Sequence, residues 1–443
     1  MVELNQSKGK ILPAPGAGLL EELEIKYAKS DKPSVTDILR ELVKSDGNVD
    51  LSLNIGKFTN KKEDDGSKEE SYLDKLKKIS RVSTAELIRR ILESVKVLEE
   101  SIVVLDPKDG SKIKEEIWRM KEVAHRLGLC GNVVIGQKSF EAYSLGNGIR
   151  IIKNVIYCNK PTCPRCAVYI SQQRIDKLEA VLAKIIKEGQ YNLFFVTFTL
   201  RHRNGAKFKT LKKALYKISG GMIRTRWFGK SVAGYVKNLE VTEGGNGVHP
   251  HLHSVVALPK GVDFQEFAMK VERYWQKRAK KEGRSCDWSK MDGNWFKPIR
   301  TKDLDRVISY FTAYKKPKQL KDYGILNEVM SSKQKDKNLW NMNPRVYCEV
   351  YVDSKHTRWY ASSGIFKVGD EVEKDSVADI GSASSRSESK LLFEISGTDW
   401  KKLYLGDRFI IRDMVASRLL SDEECIDGVK KILDSYVQTH SFF

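Results

Sequence analysis

Residues 235–258 read YVKNLEVTEGGNGVHPHLHSVVAL, and this stretch decides the fold. The segment 235–243 is rich in β-forming residues, Gly244-Gly245-Asn246-Gly247 supplies turn residues tolerant of positive φ, and 248–258 resumes as a strand. The pattern predicts a β-hairpin. Alternate side chains of an extended chain share a face, so His249, His251 and His253 point to one side and Pro250 and Leu252 to the other. Three of the seven histidines thus fall within five positions, which is how a strand presents metal ligands. The hairpin also brings a carboxylate, Glu240 or Glu243, beside the imidazoles. A single histidine here would read as a polar strand face or half-buried core; three at alternate positions beside a carboxylate favour a metal site.

The whole chain has 443 residues, enough for two or three domains, with 78 Lys+Arg against 58 Asp+Glu and a net charge of +20. Such an excess of positive charge favours polyanionic partners, nucleic acid first. Acidic membrane surfaces compete, but no long basic amphipathic helix and no lipidation signal is visible. The opening MVELNQSKGK lacks the apolar core of a signal peptide, and the longest apolar run, near 193–200, is too short to span a bilayer. A cytoplasmic location without membrane attachment is the expectation. Seven cysteines argue against a disulfide framework.

Residues 1–116 read as a helical, charged N-terminal extension, with SVTDILREL at 34–42 and STAELIRRIL at 83–92 as capped amphipathic helices and a mixed-charge linker at 57–78. Composition then changes to alternating helical and β-rich runs carrying most of the Cys, His and Trp. A cysteine-rich zinc-binding subdomain is expected at 117–190, a catalytic domain at 191–368, a linker at 369–390 and a C-terminal extension at 391–443 with a helix over 421–437.

Cys158-x4-Cys163-x2-Cys166 puts three thiolates within reach of one tetrahedral ion, and structural zinc takes four ligands. Cys130 is the preferred fourth, because Cys130-Gly131 opens a β-rich excursion that returns at 151–157 into the cluster; His125 is the alternative. The bland reading is a group of buried free thiols. Farther on, Tyr310 and Tyr314 stand four apart on a predicted helix limited by Pro317, among Lys315, Lys316 and Lys318. Helical tyrosines at this spacing are usually core or surface. A phenol is a poor nucleophile near neutral pH, and a catalytic tyrosine needs nearby positive charge and a metal-polarised electrophile; this chain offers both. Between the first predicted strand and the hairpin lies a basic run, Lys207, Lys209, Lys212, Lys213, Lys217, Arg224 and Arg226, suited to DNA phosphates, as is Lys315. Trp227, Tyr235 and Trp275 read as core residues or as platforms for unpaired bases.

Taken together these features resemble the HUH endonucleases, named for the pattern seen here as His251-Leu252-His253, and more closely the plasmid rolling-circle replication initiators. The resemblance covers roughly 129–367: Cys130-Gly131, the Cys158–Cys166 cluster, FVTFTL at 195–200, LEVT at 239–242, HPHLH, Tyr274-Trp275, the tyrosine helix and WYASSGIFK at 359–367. It implies an α+β fold, a central antiparallel β-sheet flanked by helices, carrying the histidines, with the tyrosine on a helix packed against it. By the same resemblance His251, His253 and Glu240 would bind a catalytic Mn2+ or Mg2+, with Glu243 and His249 as rivals for the third place, and a structural Zn2+ would sit on the cysteines. Tyr314 would be the nucleophile and Lys318 would face the scissile phosphate. Many plasmid initiators have glutamate where this chain has Tyr310; the second tyrosine is similar to phage-type initiators and rolling-circle transposases, so Tyr310 is expected to terminate by a second transesterification.

The implied activity is metal-dependent nicking of single-stranded or cruciform origin DNA, leaving a 5′-phosphotyrosine and a free 3′-OH primer. A separate helicase is expected, since no GxxxxGK[ST] loop is visible, with a single-strand binding protein and the host DNA polymerase as further partners and self-association left open. A rolling-circle insertion-sequence transposase is the alternative within this chemistry, and a non-catalytic zinc-bearing DNA-binding protein is the alternative outside it.

Overall fold

The structure, a computed structural model, describes residues 84–102, 107–144, 150–286, 296–299, 339, 342–367, 389–417 and 420–440, all within the compact unit Asp50–Phe443. The described strands are β1 (Phe140–Ser144), β2 (Arg150–Lys153), β3 (Tyr191–Phe198), β4 (Gly234–Gly244), β5 (Gly247–Pro259), β6 (Phe296–Ile299), β7 (Tyr360–Gly364) and β8 (Lys390–Ile395). The described helices are α1 (Thr84–Ile102), α2 (Pro107–Leu129), α3 (Pro164–Glu188), α4 (Phe208–Ile223), α5 (Arg226–Ser231), α6 (Phe264–Lys281), α7 (Pro344–Asp353), α8 (Gly397–Lys402), α9 (Leu405–Ala416) and α10 (Asp422–His440). Antiparallel sheets flanked by helices make this an α+β protein, as the resemblance implies. Among the described residues no helix is long and apolar enough to cross a membrane.

The larger sheet has strand order β6-β3-β5-β4-β7, antiparallel throughout. Its centre is the hairpin of 235–258: Gly244 pairs with Gly247 and only Gly245-Asn246 lie between, with Gly247 at φ +86° where a side chain would be strained. Pro250 is tolerated in this inner strand because β3 ends its pairing at Phe198–Leu252, so Pro250 has a ladder partner, Val241, only on β4. One face carries Leu193, Phe195, Val236, Val255 and Ala257 against Leu178, Leu182 and Ile185 of α3. The opposite face packs under α4 and α6, where the fully buried Trp275 lies against Phe198, with ring centroids 4.6 Å apart, and donates through Nε1 to the Thr199 carbonyl at 2.9 Å. Trp275 is therefore core rather than a base platform, and removing its side chain would cost about 3–5 kcal/mol.

The smaller sheet, β2-β1-β8, crosses the division expected from the sequence: β8, from the segment read as a C-terminal extension, pairs with β1, from the cysteine-rich segment. Likewise α2 runs through the expected boundary at 116. Phe140 of β1 stacks on Trp400 of α8 at 3.9 Å, and the Trp400 indole donates to the Asn132 carbonyl at 2.8 Å. Arg150, with a fully buried side chain, donates to the Val415 and Leu420 carbonyls and to Asp422, binding β2 to α9 and to the start of α10. A buried guanidinium spread over several acceptors has its desolvation compensated.

Candidate active site and metal centres

The register of the hairpin sets Glu240 of β4 directly opposite His251 of β5, with His253 opposite Asn238 one step along the same face. Glu240 Oε2 is 3.1 Å from His251 Nε2 and 2.6 Å from His253 Nε2. Burial pushes the Glu240 carboxyl up, but the hydrogen bonds and charge of the two histidines outweigh it and hold the group well below the usual carboxylate range. His253 is buried, its ring stacked on Phe195 and its Nδ1 3.2 Å from Thr197 Oγ1 of β3. Without a metal, Nε2–H donates to Glu240; with the ring proton on Nδ1 and donated to Thr197, Nε2 becomes the nitrogen that can bind a metal. One carboxylate oxygen and two imidazole nitrogens lie within 4.8 Å of one another, a set that suits a divalent cation and leaves coordination positions for a substrate.

The two rivals for the third position are engaged elsewhere. The Glu243 carboxylate accepts from the Asn343 backbone N–H at 2.7 Å, next to the start of α7, where Asn343 itself caps the helix through Arg345 N–H. His249 shares the predicted face but belongs to a separate polar chain. His202 Nδ1 faces the Arg203 carbonyl at 3.2 Å, so it carries the proton; His202 Nε2 then accepts from His249 Nδ1–H at 2.8 Å, and His249 Nε2 accepts from the Thr199 hydroxyl at 2.9 Å. Burial, then the charge of His251 and His202, hold His249 down to about 4. Thr197 and Thr199 entered the sequence analysis only as part of a strand motif and His202 not at all, so none of the three was given a role at the site. The first two carried a signal, since they are the alternating polar residues of the otherwise apolar strand FVTFTL; His202 carried none.

Cys130, Cys158, Cys163 and Cys166 converge. Their Sγ atoms lie 3.4 Å apart for Cys130–Cys166, 3.7 Å for Cys158–Cys166 and 3.7 Å for Cys163–Cys130. A tetrahedron of Zn–S bonds has edges of about 3.8 Å, so the thiols fit the ion. His125, the other candidate for the fourth position, is not in the group. Cys163 caps α3, whose first residue is Pro164, and the residue after Cys130 is Gly131 at φ +72°; a Cβ there would stand 2.5 Å from Arg165 Nε. Two buried arginines surround the thiols. Arg165 Nη1 donates to the Arg412 carbonyl and Arg412 Nη1 to the Cys130 carbonyl, both at 2.8 Å, with Asp413 beside both guanidiniums. Hydrogen bonds from Cys158, Cys163 and Cys166 push the Cys130 thiol well below its ordinary value.

Tyr310, Tyr314, Lys315 and Lys318 lie outside the described residues. Of the basic run, Lys212 is occupied within the protein, its ammonium donating to the Asp353 carbonyl and, at 2.8 Å, to Thr357 Oγ1. Lys207 and Lys217 face Glu349 and Glu282 at 3.3 and 2.6 Å. Lys209, Lys213, Arg224 and Arg226 are exposed on or beside α4. Trp227 is half-buried among Phe228, Phe267 and Tyr274.

No curated protein and no solved structure matches the chain. A family model described as Replication protein (Rep_1) matches residues 149–400, more than half of the 443, and takes in the whole five-stranded sheet, β2 and β8 of the smaller one, the Glu240–His251–His253 group and three of the four clustered cysteines. By that match, the chain belongs to the Rep_1 replication protein family.

Proposed function

We propose that the protein initiates rolling-circle replication of a plasmid as a metal-dependent, site-specific single-strand DNA endonuclease and strand-transferase. The observation that carries the reading is the trio Glu240, His251 and His253 on the paired strands β4 and β5, inside the residues matched by the replication family. These residues would hold a Mn2+ or Mg2+ ion, the imidazoles favouring manganese. A cation bound there would polarise an oxygen of the scissile phosphate.

The remaining work falls to the chain's own groups. Thr197 can accept Nδ1–H of His253, which leaves Nε2 as the nitrogen available to the cation. Tyr314 attacks phosphorus through its phenol oxygen, losing its proton; the bond from phosphorus to the 3′ oxygen breaks, and that oxygen takes up a proton. The products are a 5′-phosphotyrosine and a 3′-OH primer, so the phosphodiester energy is conserved and the step is reversible. Lys318 offsets charge at the phosphate, and Tyr310 accepts the second transfer that ends a round. Support comes from the flanks of the tyrosine segment: Ile299 of β6 pairs with Leu193 of β3, and the Asn343 N–H is held by Glu243 of β4, so the chain leaves the histidine-bearing sheet and returns to it. The cysteine group, closed and four-ligand, would bind structural zinc. Strand separation would fall to a separate helicase, and extension of the primer to the host polymerase.

The test is incubation with a 5′-tailed single-stranded oligonucleotide library and manganese, followed by a denaturing gel and peptide mass spectrometry. A nucleotide adduct on Tyr314, lost with chelator and in Tyr314→Phe, is the expected result. Tight, salt-sensitive binding without any adduct would favour a non-catalytic DNA-binding protein.

A further inference from the structure

The face of the large sheet opposite the histidines carries a lysine that the chemistry above does not use. Lys237 lies on β4, an inner strand, where it pairs with Ala361 of β7 and is half-buried beneath α4. Its ammonium stands 5.5 Å from the centroid of the Tyr216 ring of α4, and Tyr216 in turn donates its hydroxyl to the Arg358 carbonyl at 2.6 Å. The small cavity that Lys237 lines is otherwise mainly apolar, with Phe198, Met222, Ile223, Leu252 and Val256, so it offers the ammonium no counter-charge. Arg224, at the C-terminal cap of α4, folds back over Gly220, so that a Cβ on that glycine would stand 3.4 Å from Nη1. Lys237 and Arg358 thus share Tyr216 as a neighbour, and Arg224 lies over the same helix one turn on, so that one half-buried ammonium and two exposed guanidiniums flank the end of α4. Among the described residues none of the three pairs with a carboxylate, and the charges acting on Lys237 are those of Arg358 and Arg224.

Such a grouping is costly without an anion. Burial, then the two guanidiniums, hold the Lys237 amine down to about 8. A surface arginine can turn into water to avoid a like charge, whereas Lys237 starts from an inner strand and is half-buried. A ligand that offsets three positive charges at one point is a compact oxyanion able to accept several hydrogen bonds. Phosphate has that chemistry, with a guanidinium fork able to bind two of its oxygens and an ammonium acting as a point charge.

We infer that Lys237, Arg224 and Arg358 form a phosphate-binding subsite that takes a backbone phosphodiester of the flanking DNA, on the side of the sheet away from the histidines. The inference rests on the functional reading above for the identity of the ligand. Because β7 is the edge of the sheet, DNA reaching both sites would pass around that edge. The subsite would then hold DNA outside the scissile position and add affinity without reading sequence.

The experiment uses the full chain. Binding of a 5′-fluorescein single-stranded oligonucleotide is followed by anisotropy from 50 to 200 mM salt, for the wild type, Lys237→Met and Arg224→Gln/Arg358→Gln. Each lost phosphate contact should lower the slope of log K against log salt by about 0.7, equally for unrelated oligonucleotide sequences. Lys237→Met should melt no lower than the wild type, because it removes a like charge from a half-buried position; this separates loss of a contact from loss of folding. In parallel, acylation of Lys237 is read by mass spectrometry with oligonucleotide, with inorganic phosphate, or with neither. Protection by oligonucleotide together with a reduced slope supports the subsite. An unchanged slope with protection by inorganic phosphate alone overturns DNA as the ligand, and an unchanged slope with no protection overturns the site. Failure of the functional reading would look different: no manganese-dependent adduct on either tyrosine, whatever happens at Lys237.

Discussion

The cysteine group brings four thiols together from three places in the chain, the end of α2, the loop after β2 and the start of α3, three of them buried and Cys158 half-buried. The sheet group sets one carboxylate and two imidazoles together on two adjacent strands. In the first, position depends on tertiary contacts brought from far away, including Arg412 of α9; in the second, hairpin register alone sets Glu240 opposite His251. The difference teaches what each can be asked to do. A site assembled by folding stores folding energy in its ion, whereas a site templated by one hairpin can gain and lose an ion without unfolding.

Four measurements would break or sharpen that contrast. The largest effect is expected for Cys163→Ser, since structural zinc contributes on the order of 10–16 kcal/mol in small domains: zinc stoichiometry should fall to zero and the thermal transition should drop or vanish. If the variant melts like the wild type, the cysteines are spectators. His251→Ala combined with His253→Ala should retain zinc and fold but lose manganese-dependent cleavage, measured on the same oligonucleotide; full activity would end the metal assignment. Thr197→Val removes the hydrogen bond to His253 Nδ1 and should weaken manganese binding about 10- to 100-fold by titration calorimetry, with little change in melting.

The smallest effect is a pH dependence. His249 is held down to about 4 in the folded chain, against about 6.5 unfolded, so between those values the unfolded state binds more protons. The stability from neutral His249 is therefore complete above about pH 6.5 and declines as pH falls towards about 4. Metal-free melts across this window should fall more steeply for the wild type than for His249→Gln; identical slopes would place the polar chain with His202 outside the stability balance.

Much of the larger sheet was legible because its signals are local. Two-residue alternation fixed the histidine face, and Gly-Gly-Asn-Gly fixed the turn, so the pairing of Glu240 with His251 follows from the hairpin alone. Cys130 was also reachable, since a β excursion leaving and re-entering the cluster needs only neighbouring sequence. The pairing of β8 with β1 was not, because nothing in LLFEI at 391–395 names a partner so distant in the chain. Nor could composition distinguish Lys212, spent on Asp353 and Thr357, from Lys209 and Lys213 beside it on the same helix. Burial at Lys212 and Trp275 comes from what packs above them, which residue type alone does not encode.

The pairing of Phe140 with Ile395 also sets an order of events during synthesis. On the ribosome the β4–β5 hairpin can zip as soon as it emerges, its contacts being close in sequence. The small sheet cannot close until β8 has been made, and Arg412, which buttresses Cys130, follows later still. For most of translation the four thiols therefore exist without their final wall. A chain halted before α9 would carry a completed histidine strand but a cysteine cluster still lacking the Arg412 contact to Cys130, so the two groups mature at opposite ends of synthesis.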